Sequence, residues 1–186
     1  MMGAPAPRHA YHGRVIIAVI GGSRAAEPVL AQAEAIGREL AKRGCILICG
    51  GHGGVMEAAC RGASEAGGLT IGVMPEENRS QANPYVRIPI VTGIGLARNR
   101  TIVLSADAVI AIDGGYGTLS EIAYALQAGK PVVGLGTWSF SSNGAEDEAV
   151  QRAGDPVQAV EWAVAAGREL RSSPSPKSER GTEGVR

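Results

Sequence analysis

Short apolar runs alternate with amphipathic stretches along most of this chain. Five of the runs are rich in β-branched residues at consecutive positions, and they occupy residues 14–21, 45–50, 69–74, 108–113 and 131–136. Continuous apolar runs are typical of parallel strands that helices cover on both faces. A sixth run, residues 86–91, contains Pro89, which predicts an edge strand or an irregular segment.

Helical patterns fill the gaps between these runs. The spacing of apolar residues predicts five helices, at residues 27–42, 55–66, 97–105, 118–128 and 156–166. Alternating strands and helices of this kind favour a parallel sheet with right-handed crossovers. The prediction is therefore an α/β fold, a single Rossmann-like domain over residues 14–170 with a doubly wound parallel sheet and flanking helices.

The composition narrows the classes of protein and of site. Residues 1–13 lack periodicity and residues 171–186 are rich in Ser, Pro and charge, so we expect two disordered tails. The 18 basic and 18 acidic residues balance, which gives no electrostatic reason to expect a nucleic acid or a membrane as partner. No apolar stretch reaches about 18 residues and no secretory signal is recognisable, so a cytoplasmic protein is expected.

The cysteines point to no disulfide framework and no metal site. Cys45, Cys49 and Cys60 are an odd number and contain no CxxC pair. Cys45 and Cys49 flank an apolar run and are interpreted as small buried hydrophobes. No group of His, Cys, Asp and Glu has the spacing of metal ligands, so no metal is predicted.

Three predicted strands end in glycine-rich turns, at residues 21–23, 50–54 and 114–118. The last two lead directly into helices, where free backbone N–H groups and the helix dipole favour an anion. Glycine lets a phosphate approach the backbone closely. Because ligands of such sheets lie beyond the carboxyl ends of the strands, the two loops predict a site for a small phosphorylated ligand. The alternative is that these glycines only make tight turns.

Common nucleotide motifs are missing from these turns. The dinucleotide fingerprint GxGxxG fails in each loop, with Met56 and Ser120 at the third glycine positions. The Walker pattern GxxxxGK[ST] and the GxSxG elbow of serine hydrolases are also absent from the sequence. These motifs therefore indicate neither an ordinary NAD-binding domain, nor a P-loop enzyme, nor a serine hydrolase.

Residues 97–135 resemble the LOG-like superfamily. GGYGTLSE, residues 114–121, matches the superfamily signature PGGxGTxxE except at its first position, where Asp113 replaces proline. GGHGGVMEAACRGA, residues 50–63, resembles the other glycine-rich loop and helix of the superfamily. The similarity covers about residues 14–137, which is most of the predicted domain.

The resemblance implies two candidate functions. One branch contains cytokinin-activating phosphoribohydrolases, which split nucleoside 5′-monophosphates, and it implies that Arg98 and Glu121 are catalytic. That branch normally has Arg-Lys where this chain has Arg98-Asn99. The other branch contains molybdenum cofactor carriers, and ARNRTIV (residues 97–103) with the non-proline signature is more similar to it. It implies that a pterin with a phosphate is held without being consumed.

Elementary chemistry is consistent with both candidate functions. A third hypothesis is a nucleotide sensor, whose site only recognises its ligand. Glu121 could stabilise positive charge on a ribose, and Arg98 or Arg24 could hold a phosphate with two hydrogen bonds. The resemblance also implies a homo-oligomer, a dimer or tetramer that shares an apolar face on the third or fourth helix.

The predicted ligand-binding residues come from the glycine-rich turns and the start of the third helix. They are Gly21, Gly22, Ser23, Arg24, Gly50, Gly51, His52, Gly53, Gly54, Arg98, Asn99, Gly114, Gly115, Tyr116, Gly117, Thr118 and Glu121.

Each of the singled-out side chains also has a purely structural explanation. Thr118 and Glu121 have the spacing of a capping box, in which Glu121 would reach back to the Thr118 N–H. Arg98 could be a solvated charge, and His52 a solvated loop residue. Residues 76–79 form a polar surface loop that could cover the site.

Overall fold

The computed structural model describes residues 13–172, apart from the side chain of Ser142. Seven strands form one parallel sheet. In chain order they are β1 (Ile16–Gly21), β2 (Ile46–Cys49), β3 (Leu69–Met74), β4 (Ile88–Val91), β5 (Ala108–Ile112), β6 (Val132–Leu135) and β9 (Val150–Arg152). A separate antiparallel hairpin is formed by β7 (Phe140–Ser142) and β8 (Ala145–Asp147).

Five helices flank the sheet, so the predicted α/β architecture is confirmed. They are α1 (Glu27–Lys42), α2 (Val55–Glu65), α3 (Arg98–Ser105), α4 (Tyr116–Gln127) and α5 (Pro156–Ser172). α1 packs against α2 and α5 on one face, and α3 packs against α4 on the other. α5 continues six residues beyond its predicted end. The predicted tails, 1–13 and 171–186, otherwise lie outside the described residues.

The core consists of two apolar layers, one on each side of the sheet. Ile17 and Val19 of β1 pack in the layer of α1, α2 and α5, whereas Ala18 and Ile20 pack in the layer of α3 and α4. Successive strand residues point to opposite faces, so a strand covered on both sides is apolar at every position. The three cysteines are buried and form no disulfide.

The strand order is β4-β3-β2-β1-β5-β6-β9. The chain builds outward from β1 to β4, returns to place β5 on the other side of β1, and continues to β9. The order therefore reverses between β1 and β5, the strands that lead into the first and third glycine-rich turns. This is the position at which open α/β sheets bind ligands.

The edges of the sheet differ from the interior strands. β4 is the edge strand expected from Pro89, and the side chains of Ile88 and Ile90 are exposed. β9, at the other edge, and the β7–β8 hairpin were not predicted. Among residues 13–172, no helix is long and apolar enough to cross a membrane.

Candidate ligand-binding site

A cleft of about 390 Å³ lies above the carboxyl ends of β1, β2 and β5. All three glycine-rich turns contribute to its wall, together with the start of α3. The cleft is lined by Gly21, Gly22, Ser23, Arg24, His52, Met56, Leu96, Arg98, Asn99, Gly115, Gly117, Thr118 and Glu121.

The first two glycine-rich turns abut each other at the base of the cleft. The Val55 N–H donates to the Gly22 carbonyl over 3.0 Å. Gly54 has a φ of +67°, and a Cβ there would collide with the backbone of Gly22 and Ser23. Glycine is required at this position by both the close approach and the left-handed backbone.

Arg98 is the first residue of α3, and its side chain turns inward rather than toward solvent. The residue is only 5% exposed. Its guanidinium lies against the backbone of the second glycine-rich turn, since a Cβ at Gly50 would lie within 2.6 Å of both terminal nitrogens. The alternative of a solvated charge at the helix start is therefore wrong.

The Arg98 guanidinium has no hydrogen-bond acceptor within residues 13–172. Its Nε is buried without a partner. The nearest carboxylate, Glu121, places Oε1 3.8 Å from Nη1, which makes an ion pair but is too long for a hydrogen bond. Buried guanidinium groups are normally hydrogen-bonded, because leaving their N–H groups unpaired is costly.

Glu121 is equally removed from water, with 6% of the residue exposed. Burial raises the pKa of the Glu121 carboxyl to about 7, and the positive charge of Arg98 opposes that rise. Burial also lowers the pKa of the Arg98 guanidinium, against the effect of the Glu121 carboxylate. The cleft thus contains an arginine beside a carboxyl group whose pKa is raised toward neutrality by burial.

The capping-box interpretation of Thr118 and Glu121 is wrong. α4 begins at Tyr116, two residues before the predicted start, and its N-cap residue is Gly115, with no side-chain capping bond. Thr118 therefore lies in the first turn, buried beside Gly114. Glu121 lies one turn later and its carboxylate makes the Arg98 ion pair described above.

Asp113 has a backbone conformation that proline cannot adopt. Its φ is +47°, whereas the proline ring holds φ near −65°. The Asp113 N–H donates to the Leu135 carbonyl over 3.3 Å, and the Thr137 hydroxyl donates to the Asp113 carbonyl over 2.7 Å. The aspartate at the first signature position therefore lies in a strand–helix turn whose backbone proline could not adopt.

The structure brings most of the predicted residues together, but not all of them line the cleft. Those that do not are Gly50, Gly51, Gly53, Gly54, Gly114 and Tyr116. Tyr116 points outward with 83% exposure, and its ring centroid lies 5.9 Å from that of Trp138. Asn99 lines the cleft, and its side-chain amide donates to the Ser120 hydroxyl over 3.2 Å.

His52 is not the freely solvated loop residue that one alternative supposed. Its Nε2 lies 3.0 Å from Oε1 and 3.3 Å from Oε2 of Glu76. Its carbonyl accepts a hydrogen bond from the Asn83 side-chain amide over 2.9 Å.

Sequence reasoning missed several residues of this site. Asn83 and Glu76 hold His52, and Met56 and Leu96 line the cleft. Glu76 stood in a segment expected only to cover the site. Asn83 belongs to no sequence motif. Its side chain bonds to the β2–α2 loop because the chain after β3 passes close to that loop. Within residues 13–172, no group of three or more His, Cys, Asp and Glu side chains could hold a metal ion.

Solved structures with similar sequences share the whole fold. A molybdenum cofactor binding protein from the phototrophic bacterium Rippkaea orientalis superposes with a TM-score of 0.73 and 39% identity, over 82% of this chain and 96% of that one. The Moco carrier protein of Chlamydomonas reinhardtii gives a TM-score of 0.70 and 40% identity, over 85% and 98% of the two chains.

A relative with a different name shares part of the sequence. The cytokinin riboside 5′-monophosphate phosphoribohydrolase of Mycobacterium marinum is 34% identical over 114 residues. The match spans 59% of this chain and 61% of that enzyme. Names of both the carrier and the phosphoribohydrolase type therefore occur among the similar proteins.

The model of the SLOG cluster4 family matches residues 14–161, which include all seven strands of the main sheet and every residue of the cleft. This chain belongs to the SLOG cluster4 family, within the LOG-like group that its glycine-rich turns resemble.

Proposed function

We propose that the cleft binds a small phosphorylated ligand of nucleotide or pterin type and holds it intact, as a molybdenum cofactor carrier does. One observation carries this proposal: the buried Arg98 guanidinium has no hydrogen-bond acceptor among the described residues. A phosphate in the cleft would supply acceptor oxygens to that planar group, which suits two-point binding of phosphate.

The surroundings of Arg98 also favour an anion. α2 begins at Val55 and α4 at Tyr116, and neither helix has a side-chain capping bond at its start. The Val55 N–H already donates to the Gly22 carbonyl, but no side chain caps the other first-turn N–H groups of the two helices, and the dipoles of both helices favour negative charge there. Gly115, Gly117 and Gly22 let a phosphate approach the backbone of the cleft wall.

Two features favour the carrier over the enzyme. The proteins from Rippkaea orientalis and Chlamydomonas reinhardtii are similar over nearly their full length. The turn at Asp113 also departs from the proline signature of the phosphoribohydrolase branch, with a backbone that proline cannot reproduce. The carried ligand would then be the molybdenum cofactor or a phosphorylated molecule of similar shape.

The Arg98–Glu121 pair keeps phosphoribohydrolase activity as the second candidate. N-glycosidic cleavage develops positive charge on the ribose, and a carboxylate beside the ribose stabilises that charge. Glu121 lies in the same cleft as the proposed phosphate ligand Arg98, at 3.8 Å from it. In that reaction Arg98 would hold the 5′-phosphate while Glu121 faces the ribose.

Two assays on the purified protein separate the candidates. Molybdopterin retained through gel filtration, with no base released from AMP or isopentenyladenosine monophosphate, supports the carrier. Release of free base that stops in Glu121→Gln supports the hydrolase. Tight nucleotide binding with neither outcome indicates a sensor.

A matched pair of arginine variants tests the site itself. Arg98→Met should abolish ligand retention, whereas Arg100→Met removes an exposed charge of the same helix and should leave retention unchanged. Equal retention by wild type and Arg98→Met would contradict the proposed site.

We also propose that a second copy of the chain covers the apolar surface at the starts of α3 and α4. Leu96 is 74% exposed beside Tyr116 at 83%, and a groove of about 360 Å³ runs between them toward Tyr124. Large exposed apolar side chains that adjoin one another mark interaction surfaces. Sedimentation equilibrium should give a dimer or tetramer for the wild type and a smaller species for Leu96→Asp.

A further inference from the structure

Hydrogen bonds hold both the backbone and the imidazole ring of His52. The Asn83 side-chain amide donates to the Gly51 carbonyl over 3.1 Å and to the His52 carbonyl over 2.9 Å, so it anchors the backbone of the turn. The two Glu76 oxygens lie 3.0 and 3.3 Å from Nε2, so they anchor the ring. His52 is one of the residues that line the cleft.

The contact with Glu76 decides which ring nitrogen faces a ligand. A carboxylate only accepts hydrogen bonds, so the Nε2 that approaches both of its oxygens carries a proton. The other ring nitrogen, Nδ1, has no hydrogen-bond partner among residues 13–172. Nδ1 is therefore the position at which His52 can interact with a bound molecule.

The charges around His52 indicate which chemical group of a bound molecule would interact with Nδ1. The turn that contains His52 leads into the uncapped N-terminus of α2, where an anion is favoured. Glu76 alone would repel an anion at that position. A His52 imidazolium would lie between the Glu76 carboxylate and the bound anion, so its positive charge would separate two negative charges. Its Nδ1–H is then a donor for a phosphate oxygen.

We propose that Glu76 is a positioning residue, which orients His52 so that the Nδ1–H of its imidazolium donates to a phosphate oxygen of the ligand. This inference rests on the proposed function, because it assumes that an anion occupies the cleft. The other charged groups that line the cleft are Arg24, Arg98 and Glu121, and within the described residues none of them forms a hydrogen bond or ion pair with the imidazole ring. Glu57 lies in the first turn of α2, close to Gly53.

Histidine nitrogen NMR tests this arrangement directly. The chain has three histidines, and His9 and His12 lie outside the described residues, so the His52 signals can be assigned with a His52→Gln variant. In the free protein, any neutral His52 should be the Nε2–H tautomer. At a constant pH at which the ring of the free protein is mostly neutral, saturating inorganic phosphate should move the Nδ1 signal toward the imidazolium value, because the proposed contact needs the protonated ring.

Two results of that titration would overturn the inference. One is a neutral Nδ1–H tautomer in the free protein. The other is an unchanged Nδ1 signal while the amide signals of residues 50–54 show saturable phosphate binding; the proposed function would survive that result. If neither His52 nor the amides of residues 50–54 and 114–118 respond to phosphate, the inference and the proposed function both fail.

A positioning role for Glu76 and simple charge repulsion by Glu76 predict opposite changes in phosphate affinity when Glu76 is replaced. If Glu76 only repelled the anion, Glu76→Ala would tighten phosphate binding. The positioning role predicts about tenfold weaker binding, the loss of one charge-assisted hydrogen bond. Glu77→Ala is the matched control, because it removes an exposed charge from the same loop, and it should not weaken binding.

A double-mutant cycle supplies a second criterion. If Glu76 acts through His52, Glu76→Ala should cost little in a His52→Gln background, since the orienting contact then has no ring to hold. Glu76→Gln retains an oxygen that can accept from Nε2, so it should recover part of the affinity lost in Glu76→Ala. Additive effects of the two substitutions would contradict the positioning role.

Discussion

At the scale of single residues, the cleft combines two groups that are expensive to bury. Arg98 and Glu121 are each at most 6% exposed as residues, and only an ion pair at 3.8 Å links their side chains. The signature motif and the arginine before it were enough to single out Arg98 and Glu121 as candidate site residues. Neither their burial nor the missing acceptor of Arg98 could be predicted, because both depend on how α3 and α4 pack over the sheet.

The raised pKa of Glu121 predicts a specific dependence of stability on pH. In the folded protein its pKa is about 7, against 4.5 for an ordinary glutamate, so between these values the folded state holds a proton that the unfolded state has released. Stability from this group is therefore full below pH 4.5 and is lost as the pH rises toward 7.

The difference between wild type and Glu121→Gln isolates this effect. From pH 4.5 to pH 7.5, the free energy of unfolding of the wild type should fall relative to that of the variant by about 3 kcal/mol. Denaturant melts at a series of pH values provide the measurement. A constant difference across this range would show that Glu121 titrates normally.

The backbone at Asp113 gives a second prediction at this scale. Asp113→Pro should destabilise the protein by about 3 kcal/mol or more, because proline cannot adopt a φ of +47° and has no N–H to donate to Leu135. Asp113→Gly, which relieves the same conformation, should be neutral or slightly stabilising. Thermal denaturation measures the stability of both variants. An Asp113→Pro protein as stable as wild type would contradict the described turn.

At the scale of elements, the apolar runs predicted the interior strands and the helical spacing predicted all five helices. The errors lie where local sequence is ambiguous. α4 starts at Tyr116 because Gly115 can serve as its N-cap, although Thr118 looked like the better capping residue. β7, β8 and β9 have three residues each and polar compositions, and pairing with neighbouring strands defines them rather than any apolar pattern.

α1 and α2 contact each other through two glycines. Gly37 of α1 faces α2, and Gly62 of α2 faces α1. A Cβ at Gly62 would lie 2.8 Å from the backbone carbonyl carbon of Glu34 and closer still to its oxygen. A Cβ at Gly37 would collide in the same way with the backbone of Ala59. The two helices therefore pack at a separation that only glycine permits.

Gly62→Ala should consequently destabilise the protein by about 2 kcal/mol, although alanine is the better helix former. Gly117→Ala is the control, since Gly117 also lies in a helix but a Cβ there meets nothing within 4 Å, and it should be neutral or slightly stabilising. Urea denaturation measures both variants. A Gly62→Ala protein more stable than wild type would contradict the close helix packing.

At the scale of the whole molecule, the strand order carries the functional argument. The reversal between β1 and β5 brings turns together that are separated by more than 60 residues in the sequence, from 50–54 to 114–118. The sequence could predict that these turns meet at one edge of a parallel sheet, since every strand points the same way. It could not predict that Glu76 and Asn83 would bond to the turn that contains His52, because that depends on the path of the chain after β3.

The central claim is that the two glycine-rich turns and Arg98 together hold one anionic ligand. Tungstate tests it most directly, because it resembles phosphate in shape and its anomalous scattering locates it in a crystal of the protein. We expect the strongest anomalous peak in the cleft, between residues 50–54 and 114–118 and within hydrogen-bonding distance of Arg98. Strong tungstate peaks elsewhere on the protein, with none beside Arg98, would contradict it.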